Sequence, residues 1–472
     1  MEGGEVRRLR PPGLEALFIS AFALFGFRLG ARSIGDNSMF VHLRTGMDMV
    51  RTGSIPRRDP YSFTAHGHPW VVQSWLPEWT YGWAHRLGGF RLVVWEQAVL
   101  MAGLAVLLAV LARAGTPLRT ALAAGIAVGV GAAYWVPRPL LFGLVALALA
   151  IYVVERRKSP WWLVPILWVW VSSHGSFLLA IAWLGARAVG EAADRRAWPS
   201  ETLRYVKGLA AGLVVSIANP LGFRLLTFPL TVEEKQKVFK TIVEWHSPDF
   251  QTAAGEFTLV FLVLALFVLI RRGATWIDVL PAVGFVALGL VAQRNLPLAA
   301  VVLAPALGRA LSPGRDRPAP AAAAREPSPV NLGFAVVIGL AFLIFGVGIA
   351  REAPLNLKSY PIAAIDFLER SGLRGPSHHV AQQDIVGCFF DLRFGDQARV
   401  FVDDRYDMFP LSVADDYAHL LKGNPDSLQV LDRRKVDVVL WDKSLPLVGT
   451  LQATGKWQTA YQRGNWVVLA RN

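Results

Sequence analysis

The chain of 472 residues has one cysteine, Cys388. That excludes an internal disulfide framework and any zinc site built on several thiolates. Charge is scarce as well. Asp, Glu, Lys and Arg make up 18% of the residues against 53% hydrophobic, and the mean hydropathy is +0.38. A soluble domain carries more charge than this. No glycine-rich loop precedes a Lys-Ser/Thr pair, so P-loop nucleotide hydrolysis is not supported. No His pair at i, i+4 brackets a Glu, so a zinc-protease helix is not supported either. The formal charge is +13. The basic residues gather in short connections between apolar runs, where they set membrane topology, so no nucleic-acid partner is expected.

What the chain has in abundance is apolar runs. Eleven candidate spans fall at 13–32, 91–112, 117–136, 139–155, 161–173, 175–190, 205–218, 256–270, 276–292, 295–310 and 331–350. A helix crosses a bilayer in about 20 residues, so the stretches at 161–173, 175–190 and 205–218 are short. With the N-terminus placed in the cytoplasm, every inner connection is basic. These carry Arg7, Arg8 and Arg10; Arg113 and Arg119; Arg156, Arg157 and Lys158; Arg195, Arg196 and Arg204; Arg271 and Arg272; and Arg309, Arg315 and Arg317. That is the charge bias expected of inside loops. The outer connections are either large (33–90, 219–255 and 351–472) or very short, holding Arg138, His174 or Arg294. The first apolar run lacks a clean small-residue cleavage site and reads as a retained span. Many of the 17 tryptophans stand near span ends, as an interfacial belt requires.

The expected architecture is a polytopic α-helical membrane protein of about 11 transmembrane helices over residues 1–350. An extracytoplasmic soluble domain follows at 351–472. Residues 312–330 are Pro/Ala-rich and read as a flexible inner linker. In the tail, Val400–Val402, Val436–Trp441 and Asn465–Ala470 read as buried strands. Ile362–Arg370 and Ser412–Lys422 have helical spacing, which together predicts an α/β domain.

The unusual polar residues fall at or beyond span ends on the outer face: Asp36, His42, Asp59, Trp75, Glu78, Arg138, His174, Asn219, Glu244 and Arg294. Asp36 suits a base, a ligand for a phosphate-binding divalent metal, or a helix cap. Asp59 suits a site or a turn before Pro60. Arg44, Arg138 and Arg294 suit a lipid phosphate, or simply snorkel to water. His174 sits in a polar break, Ser172-Ser173-His174-Gly175, of the kind that lines a cavity. Glu244-Trp245 pairs an acid with a ring, as sugar sites do, or is an interfacial anchor. Lys235, Lys237 and Lys240 form a basic patch that meets headgroups or solvent.

Three motifs stand in the first outer loop. Asp36 is followed by His42-Leu43-Arg44-Thr45-Gly46. Gly53-Ser54-Ile55-Pro56 leads to Asp59-Pro60-Tyr61-Ser62-Phe63-Thr64. Ser74-Trp75-Leu76 leads to Glu78. Arg138-Pro139, His174-Gly175-Ser176-Phe177, Asn219-Pro220-Leu221-Gly222, Glu244-Trp245 and Val400-Phe401-Val402-Asp403-Asp404-Arg405-Tyr406 follow downstream. Together these resemble bacterial integral-membrane glycosyltransferases of the GT-C superfamily. The resemblance implies a sugar donor on a polyprenyl phosphate and an acceptor glycan, lipid or protein of the cell envelope. It implies location in the bacterial inner membrane, and Asp36 as general base or acceptor-positioning acid. Many members carry two acids as Asp-x-Asp, and Ser38 stands where the second would fall. His42, Arg44, Asp59, Trp75, Glu78, Arg138, His174, Glu244, Trp245 and Arg294 are the candidate substrate-binding residues. The other reading of these motifs is a non-catalytic relative that binds a polyprenyl lipid or scaffolds envelope assembly.

Overall fold

The structure, a computed structural model, describes residues 11–239, 242–313, 328–374 and 377–472. Arg7, Arg8, Arg10, Lys240, Arg315 and Arg317, the side chain of Lys237 and most of the expected linker lie outside the described residues. The chain is mostly helical. Each of the eleven apolar stretches contains or forms a helix. Among the described residues, five helices are long and apolar enough to cross a membrane: Trp75–Leu111, Pro117–Tyr134, Gly175–Arg195, Ala253–Arg271 and Pro329–Arg351. Leu140–Glu155, Pro160–Val171 and Trp276–Val291 are shorter and apolar. This is a multi-pass membrane protein.

The chain divides into two compact units. The first comprises 1–32, 94–216 and 243–352; the second comprises 33–93, 217–242 and 353–472.

At the centre of the first unit lies the helix Leu296–Leu311, with fourteen of its sixteen residues buried. Its Ala, Val, Leu and Pro side chains are small or compact enough for neighbours to close around it on all sides. Elsewhere glycine brings backbones together. A Cβ at Gly190 would lie 2.4 Å from the Trp276 carbonyl oxygen, so the helices Leu178–Arg195 and Trp276–Val291 touch main chain to main chain. The helix Pro329–Arg351 is the opposite case, with a mean hydropathy of 2.7 and only three buried residues. Its apolar surface is left for lipid. The charges buried in this unit are matched. Arg187 Nη1 lies 2.6 Å from Glu155 Oε1, and Arg309 pairs with both Glu155 and Asp278. Two carboxylates and two guanidiniums cancel, as charges among membrane helices must.

The second unit gathers three stretches of chain. Helix α1 of the molecule is Leu14–Gly30; α2, Asn37–Thr52, opens this unit. Asp36 caps α2 by accepting from Met39 N at 3.1 Å, and Gly53 ends it with φ 68°. Helix α3, Trp75–Leu111, is interrupted at Gly88 and Gly89, where φ/ψ leave the helical region. The pair of glycines permits that break. The tail holds a four-stranded sheet of β1 Val380–Gln382, β2 Val438–Asp442, β3 Trp457–Arg463 and β4 Trp466–Arg471, in the order β1-β2-β4-β3. β1 runs parallel to β2 and the other pairs are antiparallel. Helices Ile362–Arg370, Asp384–Phe394 and Leu411–Lys422 accompany it.

One expected strand is corrected. Val400–Val402 is buried but belongs to no sheet. Its backbone bonds go to the first outer loop: Val400 N donates to Tyr61 O at 3.1 Å and Phe63 N to Val400 O at 3.0 Å. The Gln382 amide serves its other side, donating to Val402 O and accepting from Phe401 N. A buried extended segment needs backbone partners, and here a loop and a side chain supply them instead of a ladder.

Candidate functional site

In the second unit, α2 and α3 cross at Gly46 and Gly82. Residues i and i+4 share a helix face, so His42 lies one turn before Gly46 and Glu78 one turn before Gly82. The close crossing brings the two together, with His42 Nδ1 2.6 Å from Glu78 Oε1. Ser74 Oγ donates to the same oxygen at 2.9 Å. Glu78 is buried, and its Oε2 has no hydrogen-bond partner among the described residues. A cleft of about 80 Å³ opens beside this pair, lined among others by Trp70, Phe228, Arg405 and Asp407. Burial pushes the Asp407 carboxyl up, opposed by the charges of Lys235 and Arg405. Lys235 Nζ donates to the carbonyl oxygens of Asp407 and Phe409, the latter at 2.8 Å, which ties residues 217–242 to the tail.

Asp59 has a structural setting. It is 1% exposed, accepts from Tyr61 N and Ser62 N at 3.1 Å each and from Ser62 Oγ, and pairs with Arg405 Nη1 at 2.9 Å. Arg405 also binds Asp403, with Nε at 2.9 Å and Nη2 at 2.5 Å, and its guanidinium lies over Trp70, 4.5 Å from the ring centroid. Asp391 is buried beside them, and burial followed by the Asp403 charge pushes its carboxyl well above the usual range. Arg44 is held in α2 by Asp48 through two hydrogen bonds, 2.8 and 2.9 Å. Trp75 is buried at the start of α3.

Asp36 is half-buried at the α2 N-terminus. Next to it, Asn37 Nδ2 and Ser38 Oγ donate to Asp404 Oδ2 at 2.5 and 2.6 Å. An acid from the tail thus stands at the position where the motif has Ser38. Asp404 was missed from sequence as a site residue. Its only sequence signal was membership of the Val400–Tyr406 motif. Among the described residues no three His, Cys, Asp or Glu side chains converge to hold a metal ion.

In the first unit, Arg138, Glu244, Trp245 and Arg294 form one cluster. Arg138 Nη1 lies 2.6 Å from Glu244 Oε2 and Arg294 Nη1 lies 3.2 Å from Glu244 Oε1. The Trp245 ring covers the Arg294 guanidinium at 4.4 Å. The segment is fixed by Gln293, whose N donates to His246 O and whose side chain donates to Val243 O. Two half-buried guanidiniums meet one carboxylate here. His174 caps the turn Gly175–Phe177 by accepting from Ser176 N at 3.1 Å.

No protein-family model matches the sequence, and no characterised protein is detectably similar to it in sequence. Solved structures are similar in fold. The archaeal oligosaccharyltransferase AglB of Archaeoglobus fulgidus, in complex with an inhibitory peptide and a dolichol-phosphate, aligns with a TM-score of 0.51 at 11% identity, over 91% of this chain and 69% of that one. The A. fulgidus enzyme tethered by a disulfide to an acceptor peptide with the NVT sequon gives 0.54 at 11% identity, over 97% and 74%. Its apo form gives 0.53 at 11% identity, over 91% and 70%. The chain shares the oligosaccharyltransferase fold.

Proposed function

We propose that the protein is a membrane glycosyltransferase that moves a sugar from a polyprenyl-phosphate carrier to a cell-envelope acceptor on the outer face of the bacterial inner membrane. The observation that carries this reading is the Arg138–Glu244–Arg294 cluster. A lipid phosphate needs cations at the end of a membrane helix, and Glu244 holds two guanidiniums together with their geometry already set. A neighbour of the same fold was solved with a dolichol-phosphate. The reading takes all eleven apolar helices as spans, with a cytoplasmic N-terminus and an extracytoplasmic tail.

In the reaction, the acceptor oxygen forms a bond to the anomeric carbon as that carbon's bond to the phosphate oxygen breaks. The configuration inverts, and the acceptor proton passes to Asp36. Phosphate leaves without protonation, so one base is enough. Within the first unit Arg138 and Arg294 bind the phosphate charge beside His174 and Trp245; within the second, His42 and Glu78 serve with Asp36. The described residues do not assemble a ligand set for a divalent ion, and no step is assigned to one.

The test compares lipid-linked sugars by mass spectrometry in a deletion strain, in that strain with the native gene, and in that strain with Asp36→Asn. Accumulation of one polyprenyl-phosphate sugar in the first and third, but not the second, is the expected result. No change in any lipid-linked sugar refutes transfer and favours the non-catalytic lipid-binding or scaffold reading. That alternative rests on Ser38 at the second-acid position and on the capping bond that engages Asp36.

A further inference from the structure

The cleft beside His42 and Glu78 has a chemistry the phosphate cluster does not. Glu78 Oε1 is taken by His42 and Ser74, whereas Oε2 is buried with no partner among the described residues. A buried carboxylate oxygen without a donor is costly, so the site calls for one from a ligand. With the His42 proton on Nδ1 and directed at Glu78, its Nε2 presents a lone pair. Asp407 adds a second carboxyl to the lining. The guanidinium among the described lining residues, Arg405, is held by Asp59 and Asp403 under Trp70. Among the described residues the cleft therefore presents mainly hydrogen-bond acceptors, and its guanidinium is already ion-paired with two carboxylates. Trp70 and Phe228 supply apolar wall beside these acceptors. Converging acceptors next to aromatic surface match a molecule with several hydroxyls along one edge and C–H groups on its face. At about 80 Å³ the cleft admits such an edge and leaves the rest of the molecule outside.

We propose that this cleft is a sugar subsite, taking the hydroxyl edge of one neutral monosaccharide unit of the acceptor. It deepens the glycosyltransferase reading and rests on it only for the word acceptor; the subsite itself stands on Glu78, His42 and the aromatic walls.

The experiment uses the full-length protein in nanodiscs and a panel of neutral methyl hexosides and N-acetylhexosaminides, read by saturation-transfer NMR, with ethanolamine as the amine control. Saturable binding of at least one glycoside is expected. Glu78→Gln, which turns the Oε2 acceptor into a donor, should weaken it about fivefold or more, the scale of one unmade buried hydrogen bond. Phe228→Ala, at the wall and outside the buried pair, should weaken it too, and keeps the test decisive if Glu78→Gln does not fold. Absence of glycoside binding overturns the proposal. So does binding indifferent to Phe228→Ala, or a response to ethanolamine alone. Polyprenyl phosphate retained on purification is measured on the same samples. Glycoside binding without retained lipid would count against the donor reading and leave the subsite standing; the reverse would remove the subsite alone.

Discussion

A Cβ placed on Gly82 would lie 2.1 Å from the carbonyl oxygen of Gly46, and one on Gly46 would lie 1.8 Å from the carbonyl oxygen of Glu78. The α2–α3 crossing tolerates no side chain at either position, and the His42–Glu78 hydrogen bond depends on it. Gly46→Ala should force the helices apart and cost about 1–3 kcal/mol or more, as overpacked cores do. Denaturant unfolding of the purified protein measures the loss. Full stability in that variant would contradict the close crossing.

Asp36→Asn separates chemistry from capping. Asn caps a helix about as well as Asp, so α2 should keep its start and stability should move by less than about 0.5 kcal/mol. Sugar transfer should nevertheless disappear, because an amide cannot take the acceptor proton. Wild-type turnover in the variant would leave Asp36 with the cap alone.

Arg138→Ala and Arg294→Ala should each reduce the polyprenyl phosphate that copurifies, and the double variant should lose nearly all of it. Glu244→Gln removes the shared counter-charge and should retain at least as much lipid as the native protein, provided the arginines keep their places. Phosphate analysis of extracted lipid reads all four.

Arg405 neutralises two buried carboxylates, Asp59 and Asp403. Arg405→Met should destabilise the second unit by about 3–5 kcal/mol, the penalty for leaving buried charge unpaired. Limited proteolysis of the outer loop and tail, compared with unfolding of the native protein, tests it.

Asp391 sets a pH dependence. Its carboxyl is raised in the folded chain, first by burial and then by Asp403, so the folded state binds a proton that the unfolded chain releases above about pH 4. Its contribution to stability is complete below that pH and is lost as pH rises toward the raised folded value. Asp391→Asn should therefore gain on the native protein as pH increases from about 4. Parallel stability curves for the two would show that Asp391 does not titrate in this way.

Local features were legible in the sequence. The apolar stretches contain helices where the hydropathy places them, because a helix satisfies its own backbone wherever it is buried. Arg138, Glu244 and Arg294 were each visible as charges at span ends, but their common cluster was not, since spacing along the chain carries no distance between helices. Arg44 carries a readable clue in Asp48 at i+4, the spacing of a helical ion pair. Asp404 beside Ser38 and Val400 beside Tyr61 could not be read at all. Those partners meet only through tertiary folding, and the same Val-rich pattern fits a strand equally well.

The bonds that finish the first outer loop reach far along the chain. Thr64 donates to the carbonyl of Phe401, 337 positions later, and Asn37 to Asp404, 367 later. During synthesis the loop emerges early, with Asp59 hydrated and its backbone open, while the membrane helices are still being made. Contacts so distant in sequence close slowly and last. Chains stopped before Val400 should leave residues 53–70 open to protease however well their helices insert. A segment translated 337 positions later decides whether the first loop is ever completed.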